Sequence, residues 1–366
     1  MYMELTKEQN LVVLGSRLTF SDKDIMDLNN LLQEKNRVDF FEFLKLSIYH
    51  KTFVLCMDNI MKYGASFRIP SYLYMQYVFL KNGFEKRNRL MRLALEEFQN
   101  QCEENSVTII PVKGAYLLNE IYTDQSVRYQ GDIDILFDYD DLERITVILK
   151  ESGYTAGRYD LKKNIVTPMS RTESVRWKLF MSHLPPYIKP IEGDPYTPFV
   201  KFDLRFALDD ELDEHPVQEM IREYRNSKVV MPEHIVLHMC THFYDEANHL
   251  DGLLGSKNLN LIKLCDLREY ILHLLGKNNN SWMDGLFSFA RKYGLEKQVY
   301  FTMFYLFLVY DDEIAREILM QMRPNIDNNR FQIEMIENGC SEERLVYWNN
   351  LFDTAVASKQ EAKNWS

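Results

Sequence analysis

"RYQGDIDILF", residues 128–137, sets two aspartates two positions apart in a run otherwise suited to a buried strand. Asp132 and Asp134 alternate with Ile133 and Ile135. On an extended chain both carboxylates therefore project to one side and both isoleucines to the other. Like charges that close repel and resist burial. A bound cation, a shared proton or exposure at a strand end would relieve that cost. A calcium loop beginning at Asp132 is excluded. Glu143 falls at its twelfth position, but Leu136 and Phe137 stand where a ligand and an obligatory glycine are needed.

The surroundings of this stretch alternate between strand and helix patterns. SVTIIPVKG (106–114) is short, β-branched and ends in glycine, the signature of a strand and turn. AYLLNEIY (115–122) reads as a short helix, TDQSVRYQG (123–131) as a loop and DIDILF (132–137) as a second strand. Asp140 and Glu143 have the spacing of a capping box for the helix LERITVILKES (142–152). Leu142, Ile145, Ile148 and Leu149 share one face of that helix, and Gly153 closes it. Residues 154–198 are less regular and are expected to hold one or two strands. TPFVKFDLRFAL (197–208) alternates again and sets Asp203 between Phe202 and Leu204. If that strand lies beside the first, Asp203 is a third carboxylate for the same face. Three carboxylates with no histidine or cysteine cluster form a hard, all-oxygen donor set, which suits magnesium or manganese and not zinc.

Helical patterns flank this region. Ser21 is placed to cap DKDIMDLNNLLQEK (22–35), and FFEFLKLSIYHKTFVLCMDNIMKYG (40–64) is expected as one helix ending at Gly64. A long helix follows over 72–105, with Gly83 a candidate break. From Pro216 onward the patterns at 232–247, 259–276, 281–294, 299–310 and 341–358 are helical. The expected fold class is α+β. A small mixed-sheet core over 106–212 lies between a helical region at 1–105 and another at 213–366.

With 366 residues the chain can bury a large core, and its net charge of −11 disfavours a long nucleic acid as partner. A local basic pocket for one phosphate-bearing ligand stays compatible with that charge. Cys56, Cys102, Cys240, Cys265 and Cys340 form no CxxC pair, which fits thiols in a reducing cytoplasm. The amino-terminal MYMELTKEQN lacks a signal-peptide pattern. The longest apolar run, 299–310, is too short to span a bilayer.

The order strand, Lys-Gly turn, helix, loop, Asp-x-Asp strand and later Asp resembles the nucleotidyltransferase superfamily of the DNA polymerase β type. It is most similar to a largely uncharacterised bacterial branch of that superfamily. Lys113-Gly114, Tyr122, Arg128, Asp132 to Asp134 and Gly153-Tyr154 carry the likeness, which is strongest over 110–154. The resemblance implies that Asp132, Asp134 and Asp203 hold two magnesium or manganese ions. It also implies that Lys113, Gly114 and Arg128 meet the triphosphate of ATP or another NTP, and that Asp203 helps the acceptor lose its proton. A nucleoside monophosphate would pass to a small-molecule, sugar-like or peptide acceptor, releasing pyrophosphate. Two departures stand out: Ala115 follows the glycine where relatives have Ser or Gly, and Arg205 stands where they often have histidine.

Plainer readings compete at each position. The aspartate pair can be a solvated strand end, Asp203 a strand-edge charge, Lys113 a salt-bridging lysine and Arg128 a loop-holding ion pair. His234, His238 and His242, with His249 beyond, recur along one helix. They could bind zinc, but packing at a domain junction explains them more simply. His183, before a Pro-Pro turn, reads as structural, as does Asp266. The alternative function is a non-catalytic nucleotide-binding sensor or interaction scaffold. Asp203 lying far from the pair, or the pair turned toward unrelated basic groups, would count against the metal reading.

Overall fold

The computed structural model describes residues 5–33, 37–64, 68–209, 212–248, 259–277 and 281–322. Cys340, His249 and the expected helix at 341–358 lie outside the described residues. The chain forms two compact units, one of residues 79–238 and one of residues 1–78 with 239–366. Both changes of unit fall inside helices.

In the second of these units, capping boxes open α1 (Lys7–Gly15) and α2 (Asp22–Leu31), where Thr6 and Ser21 exchange hydrogen bonds with Gln9 and Asp24. The expected single helix at 40–64 is two, α3 (Phe40–Tyr49) and α4 (Phe53–Tyr63). The break has a definite cause. Lys51 adopts φ +59°, while the N–H groups of Thr52 and Lys51 return to the carbonyls of Ser47 and Ile48. That is a Schellman closure with lysine in the left-handed position usually filled by glycine. Gly64 does end α4. A long helix, α5 (Ser71–Glu104), then runs without interruption. Gly83 does not break it. A Cβ there would stand 2.9 Å from Tyr196 Cδ1, so the glycine permits a close approach.

The unit of residues 79–238 contains β1 (Ile109–Pro111), α6 (Gly114–Glu120), β2 (Ile133–Phe137), α7 (Leu142–Glu151), β3 (Thr155–Asp160) and β4 (Ile165–Pro168). After these come α8 (Arg171–Phe180), β5 (Tyr187–Pro190), β6 (Phe199–Arg205) and α9 (His215–Ser227). The sheet order is β1-β2-β6-β5-β3-β4, with β2 and β6 parallel and the other pairings antiparallel. The irregular stretch thus holds three strands and a helix. Its β4 is largely exposed, so no apolar alternation marked it. The capping-box expectation for α7 also changes. Asp140 sits in a 3-10 turn opened by Asp138, and Asp141, at the helix start, pairs with Arg144. Gly153 closes α7 at φ +84°.

Alternation decides which sheet face is apolar. Ile133, Ile135 and Phe137 of β2 and Val200, Phe202 and Leu204 of β6 face one core. Met91, Leu95, Phe98 and Cys102, one stripe of α5, pack onto it together with Ile145, Ile148 and Leu149 of α7. Tyr154 and Phe98 both set their rings against Phe202.

Last come α10 (Pro232–Asn248), α11 (Leu261–Gly276), α12 (Ser281–Tyr293), α13 (Glu296–Tyr310) and α14 (Glu313–Met322). The apolar run 299–310 lies in α13, a mostly buried helix. Among the described residues no helix is long and apolar enough to cross a membrane. Together these elements make an α+β protein whose mixed sheet is flanked by helical regions.

Candidate metal and nucleotide site

The register of β2 and β6 builds the site. Asp134 and Asp203 are Cα partners, between the rows Ile133–Phe202 and Ile135–Leu204. Partners in one row point to the same side of a sheet, and adjacent strands lie about 4.8 Å apart. Since the flanking rows face the core, Asp134 and Asp203 share the opposite face. Asp132 and Lys201 lie one alternation earlier on that face, and Arg205 one later. The structure therefore brings together the three carboxylates named from sequence.

Their electrostatics are strained. Burial pushes the Asp134 carboxyl up to about 6, Asp132 and Asp203 push in the same direction, and the Lys113 ammonium opposes them. Lys113 Nζ donates to Asp134 Oδ1 at 2.5 Å. Asp203 behaves differently. Burial alone would raise it, but His183, Arg205 and Lys113 together hold it below the usual carboxylate range. Lys201 Nζ lies 2.7 Å from Asp132 Oδ2. Burial disfavours the Lys201 charge, yet the three aspartates outweigh it and raise the ammonium above its ordinary value.

Sequence reasoning missed His183, which it read as structural. Its backbone bridges to Arg205, and its Nδ1 lies 3.4 Å from Asp203 Oδ1 and 3.0 Å from the Leu184 carbonyl. A carbonyl can only accept, so Nδ1 carries the proton. Burial lowers the His183 pKa, and nearby Arg205 and Lys113 add to that against Asp203, so the ring is neutral at pH 7. Trp177 Nε1 donates to the His183 carbonyl at 2.9 Å and fixes the segment.

The loop before Asp132 is clamped from α5. Buried Arg87 donates from Nε to Gln130 O at 2.6 Å and from Nη2 to Gly131 O at 2.8 Å. Asn88 donates to Gln125 O at 2.7 Å and Arg128 O at 2.8 Å, while Gln130 Nε2 reaches Asp132 O at 3.1 Å. The Arg87 guanidinium also lies over the rings of Tyr129 and Phe199.

Lys113, two residues after β1, adopts φ +49° and leads into α6 at Gly114. The open flank of that glycine is taken by an arginine: a Cβ on Gly114 would fall 2.4 Å from Arg128 Nη1. The same guanidinium sits 5.9 Å from the centroid of Tyr122. Glycine here makes room for a cation, and a phosphate approaching this turn would meet guanidinium as well as backbone.

The histidine ladder is divided. His234 Nε2 lies 3.4 Å from Glu223, and His242 Nε2 lies 3.4 Å from Glu246. His238 is buried and held well below its ordinary pKa, first by burial and then by Lys113 and Arg205. It lies near enough to Lys113 and Arg205 for their charges to act on it. Among the described residues no three His, Cys, Asp or Glu side chains are grouped to hold a metal as they stand. The donor chemistry still suits a hard cation. Three acids share one face, the most buried of them has a raised pKa, and the ammoniums of Lys113 and Lys201 already sit on two of them. Lys113 belongs to the set foreseen from sequence; Lys201 does not.

Fold and site together define the class: an α+β protein with an acid-lined strand pair beside a Lys-Gly turn. A family model described as an uncharacterised nucleotidyltransferase matches residues 36–311, and the chain belongs to that family. No curated protein and no solved structure matches it. Membership makes nucleotidyl transfer, in general terms, its chemistry.

Proposed function

We propose that the Asp132–Asp134–Asp203 face is the active site of a cytoplasmic, metal-dependent nucleotidyltransferase. It moves a nucleoside monophosphate from an NTP to a small-molecule, sugar-like or peptide acceptor. The observation that carries this reading is the register, which sets Asp203 beside Asp134 on parallel strands. Asp132, Asp134 and Asp203 are the groups to hold magnesium or manganese. Bound there, the ion would supply a Lewis acid for the charge that develops on the phosphoryl oxygens. Lys113 and Arg128 contribute positive charge for the triphosphate, and Lys113 must then exchange Asp134 for a phosphate oxygen. The acceptor hydroxyl oxygen bonds to the α-phosphorus as the bond to the β-phosphate's bridging oxygen breaks, and the electron pair leaves with pyrophosphate. Asp203, kept ionised, receives the hydroxyl proton.

The test is thermal melting with ATP, GTP, CTP and UTP, each with and without magnesium. Stabilisation that needs both nucleotide and metal and vanishes in Asp134→Asn supports the enzyme. No shift with any nucleotide under either condition removes the reading. One observation favours a second reading, a nucleotide sensor without catalysis: lysines already neutralise two of the acids. A melt raised by nucleotide alone, unaffected by magnesium, would select it.

A further inference from the structure

We infer that Lys201 is a built-in cation of this site, its ammonium standing in for one of two metal ions, so that the trio binds a single divalent ion at Asp134 and Asp203. The inference rests on the metal-dependent reading above and concerns how many ions that site accepts.

The two lysines at the site are held differently. Lys113 lies at a turn with φ +49°, outside any strand, and touches only the most buried acid. Lys201 lies inside β6, between Val200 and Phe202, both buried in the core. Its backbone is fixed by pairing with β5, where Ile188 is its partner. Its side chain shares a face with Asp203 at i+2 and reaches across to Asp132 at 2.7 Å. A metal ion bridging Asp132 and Asp134 would have to share the Asp132 carboxylate with Lys201, which holds its Oδ2. It would also leave a half-buried ammonium facing a divalent charge a few ångströms away. A metal between Asp134 and Asp203 leaves the Lys201–Asp132 pair intact; it displaces Lys113 from Asp134 and meets His183, whose Nδ1 lies 3.4 Å from Asp203 Oδ1. Asp132, neutralised by Lys201, then orients that lysine and need not bind metal itself.

The experiment counts manganese. The full chain is saturated with Mn2+ and α,β-methylene-ATP, freed of unbound ligand, and its metal and nucleotide content measured beside its electron paramagnetic resonance spectrum. The wild-type chain is expected to retain one Mn2+ per nucleotide with the six-line spectrum of an isolated ion. Lys201→Met, shown folded by circular dichroism, is expected to retain two, with the spectrum of a coupled pair. Two ions in the wild-type chain overturn the inference and leave the metal-dependent reading standing. One ion in both chains also overturns it, because Lys201 then excludes nothing. No ion in either chain overturns it together with the metal-dependent reading. Should Lys201→Met not fold, Lys201→Gln replaces it, and the wild-type count is decisive against the inference if it is two.

Discussion

Replacing Arg87 by methionine tests how the fold presents the aspartate strand. Methionine keeps an unbranched stem of similar width, so the change removes mainly the guanidinium. The two hydrogen bonds lost, at 2.6 Å and 2.8 Å, are made by a charged donor to carbonyls just before Asp132. Bonds to charged groups contribute about 1.5–3 kcal/mol each, and two buried carbonyls would be left seeking water. The cation–π contacts to Tyr129 and Phe199 add up to ~1 kcal/mol. Against these stands the gain from no longer desolvating a guanidinium, so a net loss of roughly 2–4 kcal/mol is expected. Urea unfolding of the two chains measures it, and hydrogen exchange localises it. Amides of residues 128–134 are expected to lose more protection than those of α7. Lys would not rescue, since one ammonium cannot reproduce the guanidinium's fork. A loss under about 0.5 kcal/mol, with exchange in 128–134 unchanged, would refute the clamp.

Two further substitutions probe separate points. Gly114→Ala would bring a Cβ to 2.4 Å from Arg128 Nη1, the movable end of a long side chain. Stability is expected to change by less than about 1 kcal/mol while NTP affinity falls roughly tenfold or more through the displaced guanidinium; unchanged affinity would remove Arg128 from the nucleotide site. His50 is buried and neutral, its pKa pushed down to about 3 by burial, and its Nδ1 accepts from the Leu261 N–H. Its unfolded pKa near 6.5 exceeds the folded one, so between these values the unfolded chain holds the extra proton and stability falls as pH falls. Urea melts at pH 7, 6 and 5 should show His50→Asn losing roughly 1 kcal/mol less per pH unit below 6 than the wild-type chain. Parallel slopes would show that His50 takes up its proton in the folded state.

The parts of this fold written in local pattern were legible. Alternation at 132–137 and 199–205 gave both strands and the carboxylate face, and Ser21 marked its helix. What escaped depends on register or on residues used against type. Lys51 occupies a left-handed turn that normally signals itself by glycine, so the α3–α4 break left no mark. Arg87 and Asn88 sit in the polar run KNGFEKRNRL and resemble a solvated helix face, yet both are buried. Lys201 could have been noticed two residues before Asp203, but its partner Asp132 lies far off in sequence, just before β2. His183 reaches Asp203 only because its backbone bridges to Arg205 across the sheet. No spacing along the chain encodes that pairing.

A crystal of this chain with α,β-methylene-ATP and Mn2+, measured at the manganese edge, tests the carboxylate site most directly. The anomalous map is expected to place manganese about 2.1 Å from oxygens of Asp134 and Asp203, with Lys113 turned from Asp134 to the triphosphate. Manganese bound elsewhere, or nucleotide bound while Lys113 still holds Asp134, would contradict it.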